Sequence, residues 1–230
     1  MTKKELLEEA RETFRENWDV RDGRKVPEPH DLKLTNDAVR IEATVLYADM
    51  ADSTGLVKRF KAEFAAEIYK AYLRGVSRII QKNGGEITAF DGDRAMAVFA
   101  GDAKDTSAAK TALNINAFVK ALNSEIQASY PSTTFVLAQT VGIDTGVLFV
   151  ARTGIRNNND LVWVGPAANN AAKLCGVGGV GGPSRITETV FSRLREEAKF
   201  GGNPKKNMWE KMMWDEMGLV IYGSDWWWEF

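Results

Sequence analysis

The chain has 230 residues, 44% of them hydrophobic, with 30 basic and 31 acidic side chains for a formal charge of −1. That suits one enzyme-sized domain, is too apolar for global disorder, and offers no basic excess for nucleic-acid binding driven by bulk charge. A single cysteine, Cys175, and a single histidine, His30, exclude an internal disulfide and a His/Cys zinc site, so any metal is expected to be bound through oxygen.

Thr2 and Glu5 stand in capping-box spacing ahead of Leu6, Leu7, Ala10, Phe14 and Trp18, which predicts an amphipathic helix over 2–18, peripheral or packed in a dimer. The glutamates in its first turns are unlike a signal peptide, and no run is long and apolar enough for a bilayer, so the expectation is a soluble, cytoplasmic protein without a membrane partner. Residues 19–37, with Pro27 and Pro29, read as a linker, making 1–37 an appendage.

The core begins at 39–48, where Ile41, Ala43, Val45 and Tyr47 alternate with polar residues as in a strand. Ala65, Ile68, Tyr69, Tyr72, Leu73, Val76, Ile79 and Ile80 then recur at helical spacing, predicting one helix over 58–82 stopped by Gly84-Gly85. Runs at 86–90 and 94–99 flank Asp91-Gly92-Asp93, a hairpin turn sequence. A second helix, capped by Asp105-Thr106-Ser107, ends near Tyr130-Pro131, and strands at 134–143 and 147–151 flank a second expected turn at Asp144-Thr145-Gly146. A strand at 161–164, a helix at 167–174 and a helix at 187–197 capped by Thr187 follow. The glycine-rich stretch 176–183 lacks the strand and helix of a phosphate-binding fingerprint and reads as a loop. We place a catalytic domain at 38–198 and a tryptophan-rich extension packing on it at 199–230. The order predicts an α+β fold with a ferredoxin-like βαββαβ core, an antiparallel sheet with helices on one face.

Asp49 closes the first strand and Asp93 stands at the hairpin, and in such a sheet those two strands are neighbours. Aspartates in turns often only bond their own backbone. A pair at corresponding strand ends instead suits Mg²⁺ or Mn²⁺, with substrate phosphates as further ligands. After Asp49, the small or polar Ala51, Asp52, Ser53 and Thr54 lead into a helix whose free amides could hold phosphate oxygens. Asn169 and Lys173, four apart, share a helix face and could bind ribose and developing phosphate charge, although an exposed Asn/Lys pair is also common.

These segments, over about residues 39–195, resemble the catalytic domain of the class III nucleotide cyclases. Tyr47-Ala48-Asp49 is similar to that family's first metal motif, Gly92-Asp93 with Met96-Ala97-Val98-Phe99 to its metal hairpin, and 160–174 to its strand and helix ending in asparagine and a cation. The resemblance implies that Asp49 and Asp93, helped by the Met50 carbonyl, hold two Mn²⁺ or Mg²⁺ ions per site. It implies that Asn169 orients the ribose and that Lys173 replaces a transition-state arginine, supplying charge without the planar fork. It further implies a homodimer with shared active sites, the carboxylates from one protomer and the asparagine and cation from the other. Lys199, Lys205 and Lys206 are candidates for holding the triphosphate.

Purine-selective members carry polar base readers at positions occupied here by Ala89 and Val162, neither of which can pair with a base edge. Asp91, Arg94 and Trp163 lie nearby and could bond or stack. The chain therefore most resembles the pyrimidine (uridylate or cytidylate) cyclases of Pycsar antiphage defence. That resemblance implies conversion of UTP to cyclic UMP and pyrophosphate, and a downstream effector that responds to the cyclic nucleotide. The alternatives are CTP as substrate, a purine cyclase, a non-catalytic nucleotide-binding module, or a palm-type nucleotidyl transferase with linear products.

Overall fold

The computed structural model describes residues 1–177 and 181–230. Helix α1 (Lys3–Arg15) opens with the expected capping box, Thr2 and Glu5 each bonding the other's backbone amide, and strand β1 (Asp19–Gly23) follows. The long strand β2 (Asp37–Ala51) leads into helices α2 (Ser53–Arg59) and α3 (Ala62–Lys82), then the hairpin of β3 (Glu86–Asp91) and β4 (Arg94–Phe99). Helix α4 (Lys104–Ser129) is followed by strands β5 (Ala138–Ile155) and β6 (Asn158–Val164) and by helix α5 (Pro166–Leu174). Strand β7 (Ser184–Thr187), helices α6 (Glu188–Arg193) and α7 (Glu196–Lys199), the short ribbon of β8 (Phe200–Gly201) and β9 (Lys206–Asn207), and strands β10 (Glu210–Trp214) and β11 (Leu219–Ser224) complete the chain.

The main sheet runs in the order β10-β11-β7-β5-β2-β4-β3, with β1 beside the start of β2 and β6 beside the end of β5. Its segment β5-β2-β4-β3 places the fourth, first, third and second strands of a βαββαβ unit side by side, as the predicted fold requires. Alternation along β2 serves both faces. Leu46, Ala48 and Met50 enter a core with α3 and α4, while Val39, Ile41, Ala43 and Val45 enter a second cluster with α5 and with Val26 and Leu32 of the segment before β2. Helices α3 and α4 thus share one face as expected, and α5 lies on the other.

Local expectations gave way where tertiary partners compete. The turn expected at 144–146 is absent: β5 pairs with β2 without interruption from Ala138 to Ala151, and the chain reverses after Ile155, with Asn157 at φ 70°. Asp144 is buried instead, accepting from Thr187 Oγ1 at 2.5 Å and Asn170 Nδ2 at 2.9 Å, while the Thr44 and Thr145 hydroxyls bond at 3.0 Å. Asp105 and Thr106 do not cap α4. Asp105 accepts from Thr44 and Thr106 Oγ1 accepts from the Arg195 amide, so both side chains tie the helix to its neighbours.

The single helix expected over 58–82 is two helices, broken at an extended Phe60 whose ring packs against Phe64 and Phe135. The helix expected over 187–197 is likewise interrupted, at Leu194, although Thr187 caps it as read. In the segment read as linker, residues 19–23 are a strand parallel to β2, and the helix read over 2–18 stops at Arg15, leaving Trp18 edge-on to Phe149 at 4.9 Å. The loop read at 176–183 falls partly on residues 178–180, outside the described residues.

The last strands widen the sheet, and the tail after them crosses α4. Asn116 donates to the carbonyls of Asp225 and Trp226, Asn114 to those of Trp228 and Glu229, and Trp226 and Trp228 pack on the core. Among the described residues no helix is long and apolar enough to cross a membrane.

Candidate active site

Strands β2 and β4 pair from Thr44 opposite Phe99 to Asp49 opposite Arg94. This register sets the hairpin turn, and Asp93 in it, beside the end of β2, so the two aspartates singled out by spacing do stand on adjacent strand ends. Gly92 takes φ 59°, the left-handed conformation that a tight reversal needs and that glycine adopts without a Cβ penalty. Among the described residues the pair has no third His, Cys, Asp or Glu close enough to complete a metal cluster, so the remaining ligands of any ion would be backbone, solvent or substrate oxygens.

The two carboxylates are not equivalent. Asp49 accepts from Arg94 Nη2 at 2.6 Å, and this bond, with the Asp49 charge behind it, holds the guanidinium still more firmly protonated. Asp93 has one oxygen, Oδ2, that is buried and bonded to nothing among the described residues. Behind them, on α3, the fully buried Tyr72 hydroxyl is also unpartnered among the described residues; burial pushes its pKa well above the usual range, and the neighbouring Cys175, Asp49 and Asp93 push the same way. Burial, with Asp49 adding to it, pushes the Cys175 thiol up to about 12, and that thiol faces the Tyr47 carbonyl at 3.5 Å. Tyr72 and Cys175 are therefore neutral at pH 7. A buried carboxylate oxygen without a partner costs free energy until a cation or donor satisfies it, and the hard oxygens of Asp49 and Asp93 fit Mg²⁺ or Mn²⁺.

The residues after Asp49 are bound into the start of α2. The Met50 side chain lies in the α3/α4 core, leaving its backbone as the part available to a ligand. Ala51 ends β2, Asp52 takes φ 55° and caps α2 by accepting from the Gly55 amide at 3.2 Å, and Arg59 bonds its other oxygen at 2.8 Å. Ser53 and Thr54 form the first turn, so the short helix begins with one carboxylate already in place.

Asn169 and Lys173 are both exposed on α5. Three features hold that helix to the sheet. A Cβ on Gly142 of β5 would stand 2.7 Å from Leu174 Cβ and closer still to the Ala171 carbonyl, so only glycine allows the approach. Asn170 ties α5 to the buried Asp144, and Arg185 of β7 donates to the Leu174 carbonyl at 3.0 Å, placing a cation at the negative end of the helix. Lys173 Nζ reaches Met217 Sδ at 3.5 Å, its polar contact among the described residues. Among the described residues of one chain no hydrogen bond or ion pair joins Asn169 or Lys173 to Asp49 or Asp93.

Ala89 on β3 is paired with Met96 of β4 and packs against the cluster that includes Trp163, while Val162 is exposed on β6 opposite Ala151. A cavity of about 290 Å³ adjoins both strands, lined by the 26–29 segment, Thr88, Asp160 and Leu161 among others. Tyr72, Gly142 and Arg185 were not singled out by sequence. Tyr72 carries the spacing of a core residue, an isolated glycine in a strand hints only weakly at a close approach, and nothing marks Arg185 as buried.

No family model matches the chain. It is 48% identical to the uridylate cyclase of Burkholderia cepacia over 94% of this chain and 94% of that protein, and 46% identical to the uridylate cyclase of Xanthomonas perforans over 98% and 97%. Its fold superposes with TM-score 0.69 on the crystal structure of the adenylyl cyclase CyaB from P. aeruginosa, at 22% identity, over 81% of this chain and 95% of that one. With near-complete coverage of relatives that share almost half its residues, and with its strands and hairpin laid out as in a cyclase domain, the chain belongs to the uridylate cyclase family and carries the class III nucleotide cyclase fold.

Proposed function

We propose that this nucleotide cyclase converts UTP to 3′,5′-cyclic UMP and pyrophosphate. The observation that carries the site reading is the convergence of Asp49 and Asp93, one oxygen of which is buried and unpartnered. The substrate reading rests on the names of the relatives at 48% and 46% identity and on the apolar Ala89 and Val162 at the purine-reading positions. Asp49 and Asp93, with the Met50 carbonyl, would hold two divalent ions, which when bound favour the ribose alkoxide and neutralise triphosphate charge.

In the reaction the 3′-hydroxyl gives its proton to solvent as its oxygen attacks the α-phosphorus, the bond from that phosphorus to the bridging oxygen breaks, and pyrophosphate departs with the bonding electron pair. Asn169 orients the ribose by amide hydrogen bonds. Lys173 places a point charge against the phosphorus-bound oxygens, where charge develops in the transition state. Amides around Ala51, Asp52, Ser53 and Thr54 bind phosphate, with Asp52 fixing the turn. Asn169 and Lys173 of one protomer complete the site around the carboxylates of the other in a homodimer, as the resemblance to the class III cyclases implies. The product acts as a second messenger on an effector in antiphage defence.

The test is to incubate the purified protein with Mn²⁺ and each of the four ribonucleoside triphosphates separately. Cyclic UMP as the dominant product supports the reading. Cyclic CMP or a purine cyclic nucleotide rejects the substrate, linear products reject the cyclase reaction, and triphosphate binding without pyrophosphate release rejects catalysis.

A further inference from the structure

Arg94 occupies one of the two carboxylates that a divalent ion would need. Its Nη2 lies 2.6 Å from Asp49 Oδ2, and the side chains are 33% and 18% exposed, so solvent weakens the bond little. The β2–β4 register brings the two side chains together, since Asp49 and Arg94 are paired across the strands. Asp93, the residue before Arg94, has no such partner for Oδ2 among the described residues. While bonded to Asp49 the guanidinium already has its carbon 5.8 Å from the Tyr47 ring centroid and Asp91 within electrostatic reach, so both remain as neighbours if that bond is lost.

We propose that Arg94 is a built-in competitor for the divalent ion, seated on Asp49 when the site is bare and displaced toward Tyr47 and Asp91 when metal binds. The inference rests on the reading of Asp49 and Asp93 as metal ligands. An ion that engages both carboxylates must compete with Arg94 for the Asp49 charge and sit beside a guanidinium. Metal affinity without nucleotide is therefore held down. A triphosphate, which gives the displaced guanidinium an anion to face, raises it, so metal and substrate load together and the bare enzyme does not hold metal idly.

The experiment measures Mn²⁺ affinity of the intact protein without nucleotide, from the electron paramagnetic resonance signal of free Mn²⁺, for wild type, Arg94→Met and Arg94→Lys. Loss of a charge-assisted bond should tighten binding of the Met variant by about tenfold, with the Lys variant in between. Gain of measurable binding from an undetectable wild-type level would support the proposal equally. Unchanged or weaker binding in both folded variants, or no binding in any of the three proteins, overturns it. Should Arg94→Met fail to fold, Arg94→Lys carries the test, since its weaker hold on Asp49 still predicts tighter binding than wild type. Asp49→Asn and Asp93→Asn distinguish the two levels: if both bind Mn²⁺ like wild type, the metal-site reading falls, whereas if both lose it and Arg94 changes nothing, only the competition falls.

Discussion

A methyl group at Gly142 tests whether α5 must lie where it does. The added Cβ would sit 2.7 Å from Leu174 Cβ and 3.1 Å from the Cys175 amide nitrogen, and closer to the Ala171 carbonyl, against an ordinary contact of 3.4 Å or more. Two of these three atoms are backbone, so no rotamer change relieves them and α5 must retreat by more than half an ångström. Overpacking of this kind costs about 1–3 kcal/mol, which in a chain this long lowers Tm by roughly 2–12 °C. The larger effect falls on catalysis, because a misplacement of about 1 Å in a positioning group costs on the order of 10²-fold, and Asn169 and Lys173 both ride on α5. Gly142→Ala is therefore expected to lose at least about tenfold in kcat for UTP cyclisation while still binding Mn²⁺, since the carboxylates stand on β2 and its neighbouring hairpin. Gly146→Ala is the control: on the same strand, its Cβ would meet only Ala167 Cβ at 3.8 Å, and Tm and kcat should stay at or near wild type. A Gly142→Ala protein with wild-type Tm and full activity would refute the argument, as would a Gly146→Ala protein equally impaired.

Asp93→Asn changes a half-buried side chain whose Oδ2 is buried and unpartnered, so without metal its Tm should stay at or near that of wild type, and scanning calorimetry with and without Mn²⁺ should show the metal-dependent rise lost. Mixing inactive Asp93→Ala with inactive Lys173→Ala protein should restore partial activity, because one site of each mixed dimer is intact; no rescue after confirmed subunit exchange contradicts the shared site. The Cys175 thiol, raised to about 12 when folded against about 8.5 in an unfolded chain, favours the fold fully below pH 8 and loses that contribution as pH rises toward 12. Iodoacetamide should consequently leave native protein unmodified near pH 8, as read by mass spectrometry, and label it in denaturant. Asn116→Ala, which frees the Asp225 and Trp226 carbonyls, should cost about 1–3 kcal/mol and show as faster proteolysis of the tail.

What could be read from the chain was decided by how local its cause is. The hairpin at Asp91-Gly92-Asp93 was legible because Gly92 supplies the left-handed residue of the turn, and once two antiparallel strands are neighbours their register brings Asp49 and Asp93 to one end without further information. Asp144-Thr145-Gly146 carries the same turn chemistry and forms no turn, because Thr187, Asn170 and Thr44 lie distant in sequence and satisfy those side chains inside the sheet. β1 was illegible for a related reason: Asp19-Val20-Arg21-Asp22-Gly23 has no alternation, being an exposed edge strand whose parallel partner is defined only after the chain returns. The break at Phe60 has no glycine or proline to announce it and follows from an aromatic cluster completed by Phe135 on a distant segment. The active site divides along the same line. Residue types alone nominate the carboxylates, since oxygen ligands at strand ends have few other uses in combination. Tyr72, spaced like its core neighbours, and Arg94, read from sequence only as a group that could bond or stack near the base, gain their link to the carboxylates when the folded sheet sets one hydroxyl and one guanidinium against them. Candidate ion ligands can thus be nominated from sequence, while the neighbours set against them are properties of the register.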